Sequence, residues 1–190
     1  MNEKICKIIR VITVAPIMCL LAILCTYFIK REYFNSVASL LSAIGFLTIF
    51  PLLSYPICYC VKPLKIKGRK MERTLAIVFA FVGYIVAFVL SFVFNDALEL
   101  KIFLGTYLLS SLIILLFRIF NVFNPSGHAS GIVGPITFLV IYVNYFFAFL
   151  YLLVIVVWYV SIKMKRHSHA EYIVGSLIPT IILLLSILLK

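Results

Sequence analysis

The chain has 190 residues, 65% of them hydrophobic and 12% charged, and a formal net charge of +11. Soluble domains carry roughly 25% charged residues and about half apolar ones, so a water-soluble fold is excluded: an interior of this size could not hide so much apolar surface. The excess of 17 Lys and Arg over 6 Asp and Glu suits anionic headgroups or a phosphorylated substrate, whereas nucleic acid is the poorest match for a chain made mostly of bilayer span.

Runs of about 20 apolar residues recur along the whole length, each long enough at about 1.5 Å per residue to cross a ~30 Å hydrocarbon core. Residues 1–190 therefore read as a single polytopic membrane domain, all-α. The first run, Val11 to Ile29, follows Lys4, Lys7 and Arg10. It is long for a signal-peptide core and lacks an Ala-x-Ala-like site, so it reads as a retained first span over about 8–29. Polar breaks at Lys30 to Asn35, Lys62 to Arg73, Asn95 to Lys101, Asn121 to His128 and Lys163 to His169 then mark spans at about 36–61, 74–94, 102–120 and 170–189. Pro51, Pro56, Pro135 and Pro179 read as helix kinks, and the five scattered cysteines as small hydrophobes.

The remaining stretch, 129–162, would be about 51 Å long as one helix, too long for a straight crossing. Asn144 is the strongly polar residue at its middle, flanked by Tyr142 and Tyr145, and tyrosines favour the membrane interface. Splitting there gives spans 129–143 and 146–162 and a bundle of about seven transmembrane helices; one tilted helix is the alternative and gives six.

The three histidines fall in two clusters at span ends: His128 within Pro125-Ser126-Gly127-His128, and His167 and His169 within Lys163 to Glu171. A third cluster, Lys65 to Arg73, carries five cations in nine residues, which by default is a loop obeying the positive-inside rule. Together they describe a phosphate site. Gly127 admits close backbone approach, Ser126 offers a hydroxyl, and the start of the next helix presents free N–H groups and a positive dipole end. Arg and Lys add charge-assisted donors. One histidine can attack phosphorus while the other protonates the departing oxygen, with no cofactor required. Glu171, four residues after His167, can orient its ring. His167-Ser168-His169 lacks a third well-spaced ligand, so no metal is expected. Arg118, near its span end, reads as a snorkelling side chain.

These motifs resemble the type-2 phosphatidic acid phosphatase superfamily, membrane lipid phosphatases related to bacterial acid phosphatases and vanadium haloperoxidases. The family's motifs run Lys-x6-Arg-Pro, Pro-Ser-Gly-His, then Ser-Arg-x5-His-x3-Asp. Pro125 to His128 match the second in full; His167 matches the third, with Glu171 in place of Asp and Gly175 at the glycine that commonly follows. Arg73 approximates the first, with Thr74 where Pro is expected. The family's third-motif Arg falls on Ser161, which removes a cation from the pocket. A second register would make His169 the nucleophile, with Lys163 six before it, but puts Ile173 in the acid's place; the first keeps the carboxylate and Gly175.

Over a phosphatase-like core of about 62–180, the resemblance implies packed helices with the site at one membrane face. It implies His167 as nucleophile, His128 as general acid, and Ser126, the Gly127 amide, Arg73 and nearby lysines, Lys67 and Lys163 among them, as phosphate ligands. The expected function is hydrolysis of a lipid phosphate or diphosphate through a phosphohistidine. The substrate would be a polyprenyl diphosphate or phosphatidic acid, the prenyl compound being favoured for so short a chain. The competing class is a non-catalytic lipid-binding relative or a small transporter. The positive-inside rule places the site face and the N-terminus on the cytoplasmic side of the cell membrane.

Overall fold

The computed structural model describes residues 2–60, 68–120 and 122–188, with side chains from residue 75 onward in the second stretch. Among the described residues all regular structure is helical. The main helices are α1 (Glu3–Ile12), α2 (Ala15–Ile29), α3 (Val37–Cys60), α4 (Gly68–Val93), α5 (Leu98–Ile119), α6 (Gly127–Val143), α7 (Tyr145–Lys163) and α8 (His169–Leu188). Five segments are long and apolar enough to cross a membrane: α3, Leu75–Val93 of α4, α5, α7 and α8. The bent pair α1 and α2 adds a sixth if taken as one span, and α6 is apolar but shorter than 18 residues. Large apolar side chains such as Val89, Phe92, Leu152 and Leu184 are more than half exposed on these helices, where a water-facing helix would carry charge.

The first span departs from a single helix over 8–29. α1 and α2 meet at 47°, and the reason is Pro16 in the first turn of α2. With no N–H, it cannot bond back to the Ile12 carbonyl, so the ladder breaks there. α1 is left as a separate amphipathic helix. Its Ile5, Ile8 and Ile12 are exposed, Glu3 pairs with Lys7 at 2.9 Å on the surface, and Cys6 and Thr13 are buried on the inner side.

The stretch 129–162 does break at Asn144. This residue is extended (φ −164°, ψ 130°), and its side-chain oxygen accepts from the Phe146 amide at 2.8 Å, capping the next helix. The Thr137 and Tyr151 hydroxyls meet at 2.8 Å. In one continuous helix those residues would stand roughly 21 Å apart, so α6 and α7 fold back as an antiparallel hairpin. Pro135 and Pro179 lie inside α6 and α8, and π turns at Gly45–Ile49 and Leu139–Val143 absorb the local mismatch in backbone bonding.

Hydrogen bonds tie the connections together at one end of the bundle. The Asn35 amide donates to Asp96 Oδ1 (3.0 Å), the Ala97 amide to the Tyr33 carbonyl (3.2 Å), and the Tyr33 hydroxyl to the Tyr142 carbonyl (2.7 Å). The Tyr142 hydroxyl also meets Ser186 Oγ at 2.7 Å. The α2–α3 and α4–α5 turns and the last turns of α6 and α8 thus share this end. Ile23, Leu47, Leu100, Phe103, Phe138 and Leu183 pack between the helices next to it. Met18, Ala129, Ile132, Ile136, Val157 and Tyr172 form a second packed cluster under the opposite end, where both histidine clusters sit. Between apolar helices in lipid, such packing is driven by close van der Waals fit rather than by removal from water.

Candidate active site

Two helix starts build the site. Ser126 caps α6: its hydroxyl oxygen accepts from the Ala129 amide at 3.2 Å. The Gly127 and His128 amides, first in the helix, have no carbonyl one turn back to bond, and with the dipole they form a natural anion seat. A Cβ on Gly127 would meet nothing within 4 Å. Its value is therefore open space beside the backbone, not a special backbone angle.

The turn carrying His167 is locked from both sides. α7 closes in a Schellman arrangement: the Lys165 amide donates to the Ile162 carbonyl (2.9 Å) and the Arg166 amide to the Ser161 carbonyl (3.1 Å). Lys165 stands in the left-handed region with φ 51°. α8 then opens in a reciprocal capping box. Glu171 Oε2 accepts from the Ser168 amide at 2.8 Å, and Ser168 Oγ accepts from the Glu171 amide at 3.2 Å. The same Glu171 oxygen lies 3.3 Å from His167 Nδ1. The carboxylate thus caps the helix and faces one side of the ring.

The two clusters are joined through the backbone. The Ser126 amide donates to the Glu171 carbonyl at 2.9 Å, and a Cβ on Gly175 would collide with the Ser126 carbonyl and amide. Gly175 is thus required for contact between α8 and the Ser126 loop. From the other side, Thr13 meets His128 Nε2 at 3.2 Å, while its own hydroxyl donates to the Ile9 carbonyl at 2.7 Å. The single hydroxyl proton is spent on Ile9, so Nε2 carries the hydrogen in this contact, leaving Nδ1 to exchange a proton. Arg10 Nη1 donates to Ser161 Oγ at 3.3 Å, in the last turn of α7.

Burial favours the neutral form of both imidazoles. Burial, then the Arg10 charge, then His167 push His128 down to about 3. His167 is lowered by burial, opposed by Glu171, with Arg10 and Arg118 adding to the fall. A neutral His167 retains the lone pair a nucleophile needs. A buried neutral His128 can act as an acid only once an incoming anion favours its charged form.

The structure brings together Ser126, Gly127, His128, His167 and Glu171. It does not bring Lys163 to them: Lys163 is exposed, its ammonium 5.7 Å over the Tyr159 ring. His169 is likewise exposed, its ring edge-on to Trp158 at 5.8 Å. Lys67 and the Arg73 side chain lie outside the described residues. Arg118 lines a cavity with Gly127, and its charge acts on His167. That cavity, of about 210 Å3, runs from Gly127 and Arg118 down between the helices to Tyr84 and Thr106, with walls that are largely apolar. Among the described residues no three His, Cys, Asp or Glu side chains converge as metal ligands.

Sequence reasoning missed Arg10 and Thr13, the latter 115 residues from His128, and read Arg118, ten residues before His128, only as a snorkelling side chain. It also missed the capping role of Glu171, although Ser168-His169-Ala170-Glu171 carries the Ser-x-x-Glu pattern of a capping box. Comparison of the chain with family models, with curated proteins and with solved structures finds no match.

Proposed function

We propose that this chain is a membrane phosphatase that hydrolyses a lipid phosphate or diphosphate at a two-histidine site. The observation that carries the reading is the joining of the α6 and α8 helix starts, through the Ser126 amide and Glu171 carbonyl, with His167 close enough to act on the charge of His128. The motif resemblance to type-2 phosphatidic acid phosphatases supports the same assignment.

In this mechanism Glu171 faces Nδ1 of His167, leaving Nε2 to attack phosphorus. The P–N bond forms as the P–O bond to the lipid breaks, and the leaving oxygen takes a proton from His128. Water then attacks the phosphohistidine; His128 takes the water's proton, the P–N bond breaks and phosphate leaves. The Gly127 and His128 amides and the dipole of α6 stabilise the charge on the transferring oxygens. The apolar cavity beside Gly127 gives a lipid tail a path into the bundle while its headgroup reaches the histidines.

Seven crossings accommodate this reading, since they place 10–13, 118–128 and 161–171 on one face. On that count the site face carries 13 of the 17 Lys and Arg, all but Lys30, Arg31, Lys101 and Lys190, which favours a cytoplasmic orientation in the cell membrane. The test is phosphate release by purified protein from a panel of prenyl diphosphates and phosphatidic acids, in chelator, beside His167→Ala. Turnover lost in the variant supports the proposal. No release from any lipid phosphate by the unaltered protein would favour a non-catalytic lipid-binding role.

A further inference from the structure

A phosphoryl group held between two neutral imidazoles carries negative charge that helix amides alone offset poorly. Such sites add guanidinium or ammonium donors, and a guanidinium matches phosphate oxygens with paired N–H groups. Neither lysine of the α7–α8 turn is placed for this role: Lys163 lies over Tyr159, and Lys165 is exposed.

We propose that Arg10, on the amphipathic helix ahead of the bend, is a phosphate-binding residue of this site, delivered to it by α1. The inference rests on the proposed function and adds to it a ligand from the opposite end of the chain. Geometry supplies the case. Cys6, Arg10 and Thr13 recur at helical spacing and share the inner face of α1. Cys6 and Thr13 are 1% and 2% exposed. Thr13 touches His128, and Arg10 touches Ser161, whose side chain is fully buried in the last turn of α7. One helix face therefore contacts both halves of the site. The guanidinium lies where its field reaches both histidines.

The lipid-facing side of α1 explains how the residue is held there. Ile5, Ile8 and Ile12 are 47%, 57% and 57% exposed, forming an apolar stripe opposite the docked face. A short helix with one apolar stripe, a charged edge and a bend into the first span lies along the membrane interface, the depth at which a lipid headgroup sits. Arg10 is then anchored through the membrane surface as well as through Ser161.

A purely structural staple between α1 and α7 would show the same contact, so the test separates charge from packing. Arg10→Gln keeps a polar, uncharged side chain on the inner face of α1 but lacks the guanidinium charge. Its affinity for orthovanadate and inorganic phosphate is measured by calorimetry on the detergent-solubilised full chain, beside kcat and KM and the thermal midpoint. The expected result is at least tenfold weaker oxyanion binding and roughly 100-fold lower kcat/KM, as for loss of one transition-state donor, with the midpoint unchanged. In Arg10→Ala, adding Ser161→Arg should recover at least tenfold, because position 161 lies within 3.3 Å of the missing guanidinium. In the unaltered chain Ser161→Arg should instead lower activity, since two guanidiniums would compete for one place. Unchanged oxyanion binding in Arg10→Gln would overturn the inference. So would a fall in midpoint that tracks the fall in activity with no recovery from Ser161→Arg. Unaltered protein that neither binds oxyanion nor releases phosphate would overturn the proposed function itself, and this inference with it.

Discussion

Gly175→Ala tests whether contact between α8 and the Ser126 loop sets the active geometry. The new Cβ would stand 2.8 Å from the Ser126 amide nitrogen and 3.0 Å from its carbonyl carbon, and closer still to the carbonyl oxygen, against 3.4 Å for ordinary contact. Relieving the nitrogen contact alone takes the difference of 3.4 and 2.8 Å, about 0.6 Å; the carbonyl oxygen demands more, and the obstacle is backbone rather than the end of a flexible side chain. Because Ser126 caps α6 and donates to Glu171, that retreat moves Gly127 and His128 away from His167. Misplacement by about 1 Å costs on the order of 100-fold in rate, so kcat/KM for lipid phosphate hydrolysis should fall by about 10- to 100-fold. Helix propensity acts the other way, since Ala replaces Gly within a helix with a gain of about 0.5–1 kcal/mol. A drop in activity with the fold intact would thus be a geometric effect. Ser176→Ala, which removes only a hydroxyl bonded to its own helix at the Tyr172 carbonyl, is the control and should stay within threefold of the unaltered chain. Gly175→Ala with activity equally close to normal would refute the argument that this contact positions the histidines.

His167→Ala and His128→Ala should each abolish turnover, whereas His169→Ala, whose ring lies against Trp158, should cost less than threefold; the reverse order in a phosphate-release assay would move the nucleophile to position 169. Oxyanion binding near pH 6 should be accompanied by net proton uptake. His128 is neutral above about 3 in the empty site, and a bound anion raises that value. Calorimetry in buffers of different ionisation enthalpy measures the uptake, which should vanish in His128→Ala; proton release would contradict the assignment. Lys165→Gly relieves a left-handed residue at φ 51°, and should stabilise the chain by about 1 kcal/mol in a thermal or denaturant melt while leaving the rate unchanged.

The helices were largely legible because hydropathy acts locally: apolar runs separated by charge become helices, and a lone Asn between tyrosines marks where the 129–162 stretch breaks. The bend at Thr13 and Val14 was less so, since the run there is apolar throughout and only Pro16, near its start, betrays the break. The histidine clusters stood out through composition and spacing, and their meeting follows from two helix starts at one end. Lys163 looked like a ligand because it is basic and near His167 in sequence. Yet helical geometry turns it toward Tyr159 while the buried Ser161, two residues earlier, faces Arg10. Arg10 carries no such local signal. A cation before a first span is ordinary charge bias, and its contact with Ser161 joins residues 151 apart in sequence.

The central claim, covalent catalysis by His167, is tested most directly by trapping the enzyme during turnover of a radiolabelled lipid phosphate, in chelator, and locating the label by peptide mass spectrometry. An acid-labile, base-stable phosphoryl group on His167, absent from His167→Ala, is the expected result. Steady turnover with no phosphoenzyme, or with the label on another residue, would contradict it.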